Sequence, residues 1–243
     1  MSERVFVKGI AFHNVTLEEA VEFAMDRMRR GERCIVFTPN AEIVHACSRD
    51  EELRRRLNEA DLILPDGIGV VYAAKILGTP LKERVAGVDF AAALTEAMAK
   101  EGFSLFLLGA KPGIAEKAAQ NLKERTPELD VCGVKDGYFA DDEEAAQAVL
   151  QAGPAALFAC LGFPKQEKFL LDYLEETGAC VAAGLGGSLD VFAGEVQRAP
   201  DVFIRLGLEW FYRLLKQPSR IGRIAKLPVF MGSVLFDKLR GAK

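Results

Sequence analysis

Residues 59–75, EADLILPDGIGVVYAAK, decide the fold. Leu62-Ile63-Leu64 reads as a buried strand, and Pro65 stops it because proline has no N–H to give a sheet ladder. Asp66 follows at once, and Gly67 and Gly69 open an apolar segment with helical character. A strand that turns sharply into a helix is the repeating unit of an α/β chain, and the same alternation extends in both directions. Upstream, RCIVFTPN (33–40) reads as a strand ending in Thr38, Pro39 and Asn40. Before it, TLEEAVEFAMDRMRRG (16–31) is an amphipathic helix with a Thr16/Glu19 capping box and a closing Gly31. RVFVKGIAF (4–12) opens the chain as a strand pair, and 41–60 is helical with a break near Ser48-Arg49-Asp50. Downstream, FSLFLLG (103–109), LDVCGVKDGYF (129–139), AALFACLG (155–162) and CVAAGLGG (180–187) are strands. Helices at 89–102, 111–127, 141–153 and 164–178 separate or precede them. Continuous apolar strands alternating with helices specify a mostly parallel sheet covered on both faces, an α/β core of Rossmann-like type.

At 243 residues the chain is long enough for one sizeable core, or a core with an appendage. The five cysteines, Cys34, Cys47, Cys132, Cys160 and Cys180, show no CxxC spacing and read as reduced thiols. MSERVFVKGIAF lacks the basic and apolar regions of a secretory leader, and no uncharged apolar run reaches the ~20 residues of a spanning helix. The expected location is therefore cytoplasmic. The net charge of −4 hides an asymmetry. Residues 197–243 hold ten Lys and Arg against three Asp and Glu, a net of +7, which leaves −11 on residues 1–196. An α/β core over 1–196 and a basic C-terminal appendage over 197–243 are the expected domains. Such a tail attracts an anionic surface.

In open α/β sheets ligands bind outside the carboxyl ends of the strands. There the chain repeatedly places polar or glycine residues: Thr38-Pro39-Asn40, Asp66-Gly67, Gly109 to Gly113, Gly137-Tyr138, Gly162 to Gln166 and Gly184 to Ser188. Six strand ends are thus expected to face one crevice. A dinucleotide fingerprint is absent, because Gly67-Ile68-Gly69 and Gly184-Leu185-Gly186 both fail at the third glycine, and there is no Walker A sequence. LLGAKPGIAEKAA (107–119) reads equally as a phosphate-binding helix start or as a plain βα turn. The only two histidines, His13 and His45, are far apart, and no DxD pair exists, so no metal is expected. The charge of a departing diphosphate then falls to arginine, lysine or backbone amides. Asp66 is the candidate for proton transfer, although as the residue before Gly67 it serves equally as a helix cap.

Taken together, FTPNAEIV (37–44), ADLILPDGIGVV (60–71), LKERVAGVDF (81–90), LLGAKPG (107–113), DGYF (136–139), LGFPKQEKF (161–169), GLGGSLDVFAG (184–194) and QRAPDVFIRLGLEWFYRLLKQPSR (197–220) resemble the WecG/TagA/CpsF glycosyltransferases, glycosyltransferase family 26. The resemblance runs in order along nearly the whole chain and is nearest to the TagA branch of Gram-positive wall teichoic acid synthesis. It implies transfer of N-acetylmannosamine from UDP-ManNAc to undecaprenyl-diphosphate-linked GlcNAc, forming a β-1,4 linkage with inversion and without a metal. It implies Asp66 as general base, with Thr38 and Asn40 orienting a sugar, Arg84 holding a phosphate or sugar, and Gln166 touching the sugar. Gly109, Tyr138, Gly186, Gly187 and Asp190 would form the UDP pocket.

The tail fits the same picture. Arg213, Lys216, Arg220 and Arg223 are spaced three, four and three apart, a helical face interrupted by Pro218. LPVFMGSVLF (227–236) is an uncharged run too short to span a bilayer but suited to its interface. An isoprenoid-linked acceptor places the tail on the anionic inner face of the cytoplasmic membrane, with Arg213, Arg220 and Arg223 closing over the diphosphate. A helix pair packed on the core is the alternative reading. No nucleic acid partner is expected, and a homo-oligomer, in which self-association replaces the membrane, stays open. Two rival functions stay open as well: the same family with the uronic-acid donor UDP-ManNAcA, and a non-enzymatic membrane adaptor that senses a nucleotide.

Overall fold

A computed structural model describes residues 3–216, 222 and 226–240. The chain opens with an antiparallel hairpin, β1 (Arg4–Val7) and β2 (Ile10–His13), in which Val7 faces Ile10. The helix α1 (Leu17–Arg30) carries the capping box as expected. The Glu19 N–H donates to Thr16 Oγ1, the Thr16 N–H donates to Glu19 Oε2, and Gly31 closes the helix in the left-handed region. β3 (Cys34–Phe37) follows, and the helical stretch after it is two helices, α2 (Ala41–Cys47) and α3 (Glu51–Leu57). They part at Asp50, whose carboxylate caps α3 through the Leu53 N–H. β4 (Leu62–Ile63), α4 (Ile68–Leu77), α5 (Gly87–Glu101), β5 (Ser104–Gly109) and α6 (Ile114–Arg125) come next. β6 (Asp130–Lys135), α7 (Asp142–Ala152), β7 (Ala156–Cys160), α8 (Lys165–Thr177) and β8 (Val181–Gly184) complete the alternation.

The six strands β3 to β8 form one parallel sheet in the order β4-β3-β8-β7-β5-β6. Both faces are covered, as the unbroken apolar strands require. Along β3, Ile35 and Phe37 join the core that faces the hairpin, α2, α3, α4, α7 and α8, while Cys34 and Val36 join the core under α1, α5 and α6. The hairpin is bound to the sheet through His13, whose Nδ1 accepts the Ile63 N–H at 3.0 Å. Burial, aided by the charge of Arg4, pushes that imidazole down to about 4, so it packs as a neutral ring.

Past β8 the chain forms α9 (Ser188–Phe192), α10 (Asp201–Arg205), α11 (Glu209–Lys216) and a final helix, α12 (Lys226–Leu239). The segment 227–236 is divided by its packing. Phe230 and Val234 are fully buried in the core shared with α2 and α4, and Leu227 packs beside them, whereas Val229, Leu235, Phe236 and Leu239 face outward. Ion pairs hold the helix at both ends, Lys226 to Glu42 at 3.0 Å and Lys8 to Asp237 at 2.6 Å. No described helix is long and apolar enough to cross a membrane.

Removing the Phe230 ring should detach this helix before the sheet. For Phe230→Ala we expect a loss of about 3 kcal/mol in docking, read as faster amide hydrogen exchange across 226–240 with β3 and β8 unchanged. Unaltered exchange in α12 would mean that its ion pairs alone suffice.

Candidate active site

The crevice opens over the carboxyl ends of β4, β3, β8 and β7, which are consecutive neighbours in the sheet. Its volume is about 450 Å³. Thr38 and Asn40 enter it from the end of β3, Asp66 from β4, the stretch from Cys160 to Gln166 from β7, and Leu185 to Val191 from β8. Arg84, Ala86 and Val88 form a side wall. That wall is placed by the backbone, since the Val85 N–H donates to the Pro65 carbonyl at 3.1 Å and so draws Arg84 up beside Asp66.

Three polar side chains in the crevice have part of their hydrogen-bonding capacity committed locally. The Thr38 hydroxyl donates to the Gly184 carbonyl at 2.9 Å, which ties the ends of β3 and β8 together and leaves Thr38 Oγ1 as an acceptor. Asn40 Oδ1 caps α2, accepting the N–H groups of Glu42 and Ile43 at 2.9 and 3.1 Å, so only its amide NH₂ faces a ligand's acceptors. Gln166 Oε1 accepts from the backbone N–H of Gly162 at 3.2 Å and of Gly186 at 3.0 Å, and its Nε2 donates to Glu167 Oε1. Gln166 is therefore a buried clasp between the loops after β7 and β8. The cap question at Asp66 is resolved by geometry: the N-cap of α4 is Gly67, at φ +89°, and Asp66 stands one residue outside it.

Gly186, Gly187 and Asp190 are brought to the crevice by the loop after β8. Gly109 and Tyr138 are not among its lining residues. Gly109 ends β5 and Tyr138 follows β6, the two strands on the side of the sheet away from β3, so four strand ends converge where six were expected. Gly109 has a packing reason instead: a Cβ there would lie 2.4 Å from the Cys160 carbonyl oxygen. Tyr138 is exposed, with its N–H turned back onto Asp136 Oδ1. Arg213 lies in α11 with its side chain outside the described residues, and Arg220 and Arg223 lie outside them altogether. Among the described residues no group of three or more His, Cys, Asp or Glu is arranged to hold a metal ion.

The family model for the glycosyl transferase WecG/TagA/CpsF family matches residues 5–243. The chain belongs to the WecG/TagA/CpsF glycosyltransferases. Three relatives carry the name N-acetylglucosaminyldiphosphoundecaprenol N-acetyl-beta-D-mannosaminyltransferase. One from Bacillus spizizenii is 38% identical over 208 residues, covering 86% of this chain and 81% of the relative. One from Bacillus subtilis is 38% identical over 204 residues, covering 84% and 80%. One from Staphylococcus aureus is 32% identical over 233 residues, covering 94% and 91%.

For a WecG/TagA/CpsF glycosyltransferase, two further acidic residues stand beside this site. Glu209, at the start of α11, places Oε2 2.6 Å from Arg84 Nη2. The signal that marks it in sequence is its sign, an acid in a basic tail. Glu167 lies beside Gln166, and its Oε2 is buried without a hydrogen-bond partner among the described residues. Burial pushes its carboxyl up to about 7, against weaker opposing hydrogen bonds from its own backbone and Gln166. The folded protein then keeps this proton up to about pH 7, while the unfolded chain loses it in the ordinary carboxylate range. Folding is penalised progressively as pH rises between those limits, by something of the order of 3 kcal/mol above pH 7. Glu167→Gln should therefore raise the melting temperature at pH 8 by roughly 6–12 °C, with the difference vanishing near pH 4. An equal difference at both pH values would mean that Glu167 titrates alike in the folded and unfolded chain.

Proposed function

We propose that this glycosyltransferase moves N-acetylmannosamine from UDP-ManNAc to undecaprenyl-diphosphate-linked GlcNAc, with inversion and without a metal, in wall teichoic acid synthesis. The observation that carries the reading is the meeting of Asp66 and Arg84 in one crevice, with Arg84 Nη2 3.8 Å from Asp66 Oδ1. A carboxylate and a guanidinium in one crevice supply a base for the acceptor hydroxyl and a cation for the departing diphosphate. Asp66 takes the proton of the acceptor hydroxyl as its oxygen attacks the anomeric carbon. The new C–O bond forms as the bond to the β-phosphate oxygen breaks on the opposite side, and the electron pair leaves with UDP. Arg84 faces the diphosphate and offsets that charge without a metal. The Thr38 hydroxyl oxygen and the Asn40 amide orient the sugar, and alignment of the two reactants lowers the barrier further. The Gly186-Gly187 loop and Asp190 receive the nucleotide, Asp190 accepting from the uracil N–H.

The relatives' name supports the acceptor class, because it specifies a GlcNAc-diphosphoundecaprenol substrate. Such an acceptor stays in the bilayer, and the exposed Trp210, Phe211 and Leu215 on α11, with Val229, Leu235 and Phe236 on α12, give this protein an apolar contact with the membrane interface. Basic residues nearby add attraction to anionic lipid, about 1 kcal/mol for each one close to the surface.

The test is UDP release from UDP-ManNAc with a short-tailed lipid-linked GlcNAc acceptor. Asp66→Asn is expected to lower turnover by about 10²- to 10⁴-fold while still binding UDP. Turnover by the wild type with UDP-ManNAcA in place of UDP-ManNAc would transfer the reading to the uronic-acid donor. Full activity in Asp66→Asn would remove Asp66 as the base.

A further inference from the structure

Arg84 is shared unequally between two carboxylates. Its Nη2 lies 2.6 Å from Glu209 Oε2 but 3.8 Å from Asp66 Oδ1. Glu209 is buried, with 7% of its surface exposed, and is not among the residues that line the crevice, whereas Arg84 and Asp66 are. The Glu209 carboxylate thus reaches the guanidinium from outside the ligand space. It belongs to α11, in the C-terminal segment, so the wall of the crevice is completed by a residue 125 positions away from Arg84.

Two physical consequences follow. A carboxylate clamped in a short ion pair with arginine is a poor base, because the cation stabilises its ionised form. With Glu209 taking the close contact, Arg84 stands 3.8 Å from Asp66 rather than in a short ion pair with it. Second, a carboxylate on Nη2 fixes the plane of a guanidinium whose five donors have a rigid geometry, which aims the remaining donors.

We propose that Glu209 is a positioning residue for the transfer: its ion pair holds Arg84 away from Asp66 and oriented for the diphosphate, and makes that arrangement depend on the seating of α11. This rests on the roles given above to Asp66 and Arg84. The C-terminal segment then contributes a buried anion to the site.

The experiment is a double-mutant cycle of wild type, Glu209→Gln, Arg84→Ala and the double variant, with two readouts. One is kcat and KM for transfer, and the other is UDP affinity by calorimetry, which needs no turnover. With Arg84 present, Glu209→Gln is expected to lower kcat about tenfold or more, with donor KM changed by less than about threefold, and to weaken UDP binding. With Arg84 absent, both effects should vanish. Coupling in either readout supports the proposal. The same fold-change with and without Arg84 in both readouts, or no change in either, overturns it. A wild type that binds UDP without transferring sugar sinks the transferase roles while the calorimetric cycle still decides Glu209, and a wild type that does not bind UDP sinks both. Should Glu209→Gln unfold, Glu209→Asp, which keeps the charge but withdraws it, enters the same cycle under the same criteria.

Discussion

The site depends on the parallel pairing of β3 with β8, strands that lie far apart in sequence but side by side in the sheet. Phe37 is in register with Gly184, and the Thr38 hydroxyl closes the seam on the Gly184 carbonyl one residue beyond. Everything that enters the crevice is referenced to that seam. A Cβ at Gly184 would press on this seam, lying 3.0 Å from Gln166 Nε2 and 3.2 Å from the Phe37 ring. With glycine in place, Gln166 can approach and join the loops after β7 and β8. A second close approach, Gly87 against Thr38 Oγ1 at 2.9 Å from a notional Cβ, brings the Arg84 segment down on the other side. Small residues thus set the width of the crevice, and polar side chains then span it.

The charges follow the same logic. A partly buried arginine must be paired, and Arg84 is paired with a carboxylate outside the crevice while lying within reach of one inside it. Farther along, Arg198 forms a two-point ion pair with Asp89 in the first turn of α5. The C-terminal segment is consequently joined to the catalytic core by ion pairs beside the crevice as well as by the apolar face of α12. Structure and chemistry are coupled through it: what seats α11 also disposes Arg84.

Much of the fold is legible in residue order. The strand runs, the capping box at Thr16 and Glu19, and the helix break at Asp50 all follow from local rules, because each depends on neighbours within a few residues. The convergence of Thr38, Asn40, Asp66 and Gln166 was legible too, since strand ends in a parallel sheet share one edge. Gly109 and Tyr138 were grouped with them by the same rule and stand apart. The rule identifies the edge of the sheet but not the position of a strand along it, which is a matter of crossovers. Gln166 and Asn40 were legible as polar residues at strand ends, whereas the commitment of their oxygens to loop amides and a helix cap was not.

The sequence by itself determined the α/β class, the list of elements, the edge at which a ligand must bind and the carboxylate placed there, because propensity, capping and hydrophobic period act locally. Only the tertiary structure decided which four loops share the crevice, that Glu167 is buried with an unanswered oxygen, and that an acid from a basic tail is the close partner of Arg84. Those outcomes rest on contacts across more than a hundred residues, where strand order and close packing, rather than the residues' own preferences, choose the partners.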